Sequence, residues 1–144
     1  MVSVFDVAKQ ILNRLGRIST WKLQKLCYYA QAWSLAWTEK PLFYEPIQAW
    51  ANGPVCPDLF FVHRGKFIIG PEDLPGGDPS VLNADQLDTI DRVLSHYGSW
   101  EPYALREQTH AEDPWKNARK GIPDDVPSSN EITWASMGEY YGNL

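Results

Sequence analysis

Apolar residues recur at helical spacing from the first turns of the chain. Val4, Phe5, Val7, Ala8, Ile11, Leu12 and Leu15 fall on one face. Ser3 with Asp6 three residues on reads as the start of that helix, and Gly16 as its end. Ser19 caps a second helix that stops before Pro41, with Leu23, Leu26, Cys27, Ala30, Ser34 and Trp37 as its inner stripe. On that cylinder Lys22, Lys25 and Tyr29 are assigned to the outer side, whereas Trp33 and Trp37 are assigned to the core. The period then changes. Residues 47–51 alternate as a short strand, Asn52-Gly53-Pro54 reads as a turn, and Pro57 opens a short helix through Arg64. Residues 67–69 are expected to form a second strand, paired with 47–51. Three Pro and three Gly make 70–80 a loop.

Helical spacing returns in Leu87, Ile90, Val93, Leu94 and Tyr97, after the capping pair Asn83 and Gln86 and before Gly98. Ser99 is expected to cap a helix over about 100–109. Asp113 before Pro114 reads as an N-cap with Pro at the first helical position. Residues 121–131 read as a polar loop, and Thr133 caps a last helix carrying Met137, Tyr140 and Tyr141. The expected fold is mainly α: a single compact domain over 1–144, with six to seven helices and a small two-stranded β element.

Length agrees with one domain, since 144 residues suffice for one sizeable core. Seven Trp, seven Tyr and five Phe imply an aromatic core or an aromatic contact surface, and the pattern leaves both open. The net charge of −5 argues against a free-standing nucleic-acid binder, because neutralising phosphates drives that affinity. The charge is uneven: residues 1–66 carry eight Lys/Arg and four Asp/Glu, and 67–144 carry five and fourteen. Segregated faces that suit charged protein partners, or ordinary solvated faces, both fit this count. Cys27 and Cys56 form no framework and are expected to be reduced thiols of a cytoplasmic protein. The first residues are amphipathic rather than a signal peptide, and no apolar run approaches a membrane span.

Candidate chemistry is sparse. His63, His96 and His110 have no nucleophile in a recognisable signature beside them. His110-Ala111-Glu112 has the spacing of a zinc-deaminase half-site without the partner cysteines, so no metal and no cofactor are expected. There is no phosphate-binding glycine loop and no distinguished acid/base pair, hence no positive case for an enzyme. Arg14, Arg17, Trp21, Lys22 and Lys25 have the composition to stack on bases or clamp phosphates.

Several stretches together carry a resemblance. They are Val4-Phe5-Asp6-Val7-Ala8-Lys9, the run from Lys22 to Trp33 (KLQKLCYYAQAW), Pro41-Leu42-Phe43, Ala49-Trp50-Ala51-Asn52-Gly53-Pro54-Val55, Pro57-Asp58-Leu59-Phe60 and the run from Thr109 to Trp115 (THAEDPW). In order and spacing the chain resembles the Panacea domain, the SocA-like antitoxin family often described as phage-associated protein. Cys27 stands where an aliphatic residue is usual. The resemblance implies a non-enzymatic antitoxin of a bacterial or prophage toxin–antitoxin pair, which neutralises a protein toxin by direct binding. The alternatives are a DNA-binding transcriptional regulator, or an adaptor that presents a partner to a protease. A homo-oligomer is compatible with either.

The partner-binding residues expected on this basis are Lys22, Lys25, Tyr29, Trp50, Gly53, Pro54 and Val55, with Gly53 and Pro54 equally readable as turn formers. Thr109, His110, Pro114 and Trp115 are expected to be a structural motif. The acidic second half, with Glu72, Asp73, Asp85 and Asp88, is the rival contact face.

Overall fold

Ser3 Oγ accepts from the Asp6 backbone amide, and the Asp6 carboxylate accepts from the Ser3 amide, a reciprocal cap that starts α1 (Val4–Leu15). Gly16 ends α1 with φ +78°, where a residue with a Cβ would be strained. The computed structural model describes residues 1–144. After α1 come β1 (Ile18–Ser19), α2 (Thr20–Thr38), β2 (Ile47–Trp50), β3 (Gly53–Val55), α3 (Pro57–His63) and β4 (Ile68–Ile69). They are followed by α4 (Ala84–Tyr97), α5 (Pro102–Ala111), α6 (Asp113–Ala118), β5 (Glu131–Ile132) and α7 (Trp134–Gly142). Short 3-10 turns at Pro71–Asp73 and Pro79–Val81 break up the Pro-rich loop. The architecture is mainly α with a minor β component, as the pattern predicts. No helix is long and apolar enough to cross a membrane.

The expected caps of α2, α4 and α7 are in place, from Ser19, Asn83 and Thr133. The helix expected from Ser99 starts later. Trp100 N–H donates to the Tyr97 carbonyl, prolonging the preceding turn, so α5 begins at Pro102. α6 begins at Asp113, with Glu112 rather than Asp113 at its N-cap. Glu112 makes no capping bond, because its carboxylate is turned into the core.

α2 is the axis of the molecule. α1, α4, α5 and α7 all pack on it, as do β3 and α3. Thirteen of its nineteen residues are buried, so it is enclosed on nearly every side rather than along one stripe. The sheet pairing differs from the expected hairpin. β2 pairs antiparallel with β3 through an Ala51-Asn52 turn, so Gly53 and Pro54, expected in the turn, are strand residues opposite Trp50 and Ala49; β2 pairs with β5 on its other edge. β4 pairs instead with β1, with Ile18 opposite Ile69. Strands of two residues carry no period, so their partners are set by where the helices place them. Trp33 is half-buried, and Trp37, assigned to the core, is 39% exposed. It lies in the last turn of α2, at the rim of the α4 contact, with the Arg92 guanidinium 4.0 Å from its ring.

The uneven charge does not leave two isolated faces. Arg14 pairs with Asp91, Arg17 with Glu72 and Asp73, and Lys66 with Asp73. The basic first half thus lies against part of the acidic second half, through exposed pairs of small net worth.

Candidate functional site

Polar residues of α2 do most of their work inside the protein. Gln24 holds the backbone of Cys56 from both sides: its Oε1 accepts from the Cys56 amide at 2.9 Å and its Nε2 donates to the Cys56 carbonyl at 3.3 Å. The same amide group donates to His63 Nε2 at 3.0 Å. Two turns later Gln31 does likewise, accepting from Leu42 and Phe43 and donating to the Phe43 carbonyl at 2.7 Å. Both amides satisfy backbone groups that no strand pairs, and so tie the chain after α2 to the axis. Both cysteines are buried, and burial pushes the Cys56 thiol up to about 12.

Tyr29, expected as a surface contact, is fully buried. Its hydroxyl donates to Glu112 Oε1 at 2.8 Å, and Tyr141 donates to the same oxygen at 2.8 Å. Gln108 Nε2 donates to Oε2 at 3.0 Å. The Tyr28 and Tyr141 hydroxyls are 3.0 Å apart, and since Tyr141 spends its proton on Glu112, Tyr28 is the donor to Tyr141. Tyr97 stacks on Tyr29 at 4.0 Å. Burial, first of all, holds these phenols well above their ordinary range, and the Glu112 charge adds to it. This is a saturated carboxylate at the junction of α2, α5, α6 and α7.

The expected structural motif sits beside it. Trp115 is buried and its indole N–H donates to the Trp50 carbonyl at 2.9 Å, so Trp50 is held by its backbone while its side chain stays half-buried against Phe60. His110 stacks on Trp115 with ring centroids 3.7 Å apart, and burial pushes the imidazole down to about 4. Pro114 is buried in the first turn of α6, and the Thr109 hydroxyl donates to the Arg106 carbonyl. Arg119, which the sequence did not single out, is 1% exposed and lies against Trp115. It donates to the carbonyls of Ala49, Pro123 and Val126. For the enclosure of α2 the sequence signal was slight: it has only Lys22 and Lys25 as charged residues over nineteen positions, a composition suited to a buried helix.

Gly53, Pro54 and Val55, also expected at the surface, are buried. Gly53 has φ +117°, and a Cβ there would stand 2.4 Å from Lys25 Cε. Lys25 itself is 1% exposed, with its Nζ 5.4 Å from the Trp21 ring centroid and bonded to nothing. Burial, then the charge of Arg106, pulls its amine down to about 7. Lys25, Trp21, Asn52, Pro102, Tyr103 and Arg106 line a cavity of about 270 Å³. A larger cleft of about 440 Å³ between β2 and residues 127–129 offers amides, hydroxyls and a Trp50 wall but no charged side chain. No three His, Cys, Asp or Glu side chains come together as metal ligands.

Exposed apolar side chains gather on the segment from α3 to β4. Phe61 is 66% and Phe67 71% exposed, with Val62 and Ile68 also exposed. Trp21, Phe60 and Phe67 line a neighbouring cleft with Arg64 and Lys66 at its edge, so Trp21 borders both hollows. Of the residues expected to meet a partner, Lys22 and Trp50 keep partial exposure, and Lys25 lines the cavity. The apolar run Phe60-Phe61-Val62 was legible as sequence but was absorbed into a short helix.

Searches of curated proteins and of solved structures return no match. A family model described as Antitoxin SocA-like, Panacea domain matches residues 23–116. That span runs from α2 through Trp115 and takes in Gln24, Lys25, Gln31, the β2–β3 turn and Glu112, so the chain belongs to the SocA-like antitoxin, Panacea-domain family.

Proposed function

We propose that this chain neutralises a protein toxin by binding it directly, without turnover, through the face that joins Trp21 to α3 and β4. The observation that carries the reading is the row of exposed apolar side chains Phe61, Val62, Phe67 and Ile68 on a member of an antitoxin family. Large apolar groups concentrated on α3, β4 and the turn between them suit the centre of a protein interface. Arg64 and Lys66 supply a polar rim, and Trp50, in contact with Phe60, extends the face toward β2. A stable complex needs roughly 1,200–2,000 Å² of total buried surface, more than these side chains alone provide, so Lys22 and the neighbouring loops belong to the contact.

The test is co-expression. The gene adjoining this one should arrest growth when expressed alone and be harmless when this chain is made with it. The double variant F61S/F67S should lose protection while keeping the wild-type circular dichroism spectrum. An innocuous neighbour, or full protection by that variant, rejects the reading or its surface respectively.

A further inference from the structure

Buried ions elsewhere in the molecule are partnered: Glu112 accepts three side-chain donors, and Arg119 donates to three carbonyls although its Nε meets no acceptor. Lys25 differs. Its ammonium is buried with no hydrogen bond and belongs to no ion pair. An unpaired buried charge is strongly disfavoured, and a four-methylene stem is long enough to carry a surface amine back to water. The fold does the reverse and keeps a positive-φ glycine where any Cβ would meet Lys25 Cε.

Lys25 and Arg106 both line the 270 Å³ cavity, and the Lys25 amine lies just beneath its surface. Arg106 gives one N–H to Glu107, which leaves its other guanidinium donors free. Asn52 adds an amide, Trp21 and Tyr103 supply aromatic walls, and no carboxylate lines the cavity. A cavity with two cations, an amide donor and no acid is built to receive negative charge. The chain as a whole is acidic, so the attraction is local to this cavity and not a property of the surface at large.

We propose that this cavity is an oxyanion site, which takes one phosphate or carboxylate group on Lys25 Nζ and the Arg106 guanidinium, against Trp21 and Tyr103. The site stands independently of toxin neutralisation, since it is formed within this chain. An anion binds the ammonium form of Lys25, so affinity falls once that amine loses its proton. The other ionisable groups near it are Arg106 and His110 on α5 and His63 on α3. Burial shifts both imidazoles down, away from neutrality, which leaves Lys25 as the titrating group there.

The experiment titrates the free protein with sodium sulfate and with sodium acetate at constant ionic strength, following the Trp21 indole and Lys25 side-chain resonances by NMR. Neither probe changes its charge between about pH 6 and 9, so the pH dependence reports the protein. Saturable binding at millimolar concentration or tighter is expected below pH 7. It should weaken about tenfold per pH unit above the Lys25 midpoint. Lys25→Met and Arg106→Gln should each lower affinity about tenfold or more, and Lys22→Met should leave it unchanged. Tighter binding of sulfate identifies a phosphoryl ligand, and response to acetate alone identifies a carboxylate such as an acidic side chain; either supports the site. No saturable shift with either probe overturns the proposal, as does the same shift in both the Lys25→Met and Arg106→Gln proteins.

Discussion

Lys25 and Tyr29 lie one turn apart on α2, yet their surroundings are opposites. Tyr29 helps close a complete set of donors around the Glu112 carboxylate, whereas the Lys25 ammonium faces no acceptor. Complete pairing makes the first centre a structural joint between four helices. The missing partner makes the second a place where folding has left a charge unspent, next to a cavity. Burial alone therefore does not describe the two: Glu112 has its donors around it, and the Lys25 ammonium has no acceptor.

The comparison breaks most visibly at Glu112. Glu112→Ala leaves Tyr29, Tyr141 and Gln108 without their acceptor and is expected to cost about 3–5 kcal/mol in urea unfolding. Glu112→Gln keeps an acceptor oxygen and should lose less than half of that. A loss within 1 kcal/mol for Glu112→Ala would mean the tyrosines find other partners and the centre is no joint.

Lys25→Met should move stability the other way, by about 1–4 kcal/mol in favour of folding, because it removes an uncompensated buried charge. The sign follows from its amine, which falls from 10.5 unfolded to about 7 folded. Below about pH 7 both states hold the proton and the penalty is full. Between about 7 and 10.5 only the unfolded state holds it, so wild-type stability rises with pH across that window. Lys25→Met should be more stable at pH 6 and lose that rise. A destabilised Lys25→Met protein would show that the ammonium is needed to hold the fold.

Gly53→Ala comes next, at about 1–3 kcal/mol of destabilisation, from the left-handed backbone and crowding against Lys25. Gly16→Ala, also at positive φ but with open space around it, isolates the backbone part. In a Lys25→Ala background the cost of Gly53→Ala should fall toward the Gly16→Ala value, and equal costs in both backgrounds would refute the crowding. The smallest effect belongs to Phe61→Ser and Phe67→Ser, which should change thermal stability by less than about 0.5 kcal/mol each. Under the proposed function their consequence lies in toxin neutralisation.

The cap residues Ser3, Ser19, Asn83 and Thr133 were legible because the bonds they make are local, within three residues of the cap. The amphipathic stripes of α1 and α4 were legible because each buries one face. α2 was harder. Reading one stripe on it placed Lys25 and Tyr29 outside, although helices and strands close around it from several directions. The β4 pairing and the role of β5 were not legible, since two residues cannot display a period.

Sequence by itself determined the helical order, most of the cap positions, a reversal close to Gly53 and the family, since these are carried by local bonds, by spacing and by linear motifs. Only the tertiary structure decided which polar residues turn inward and which of those find a partner. That choice rests on contacts between residues far apart in the chain, such as Tyr29 with Glu112 and Lys25 with Gly53, and no local pattern encodes them.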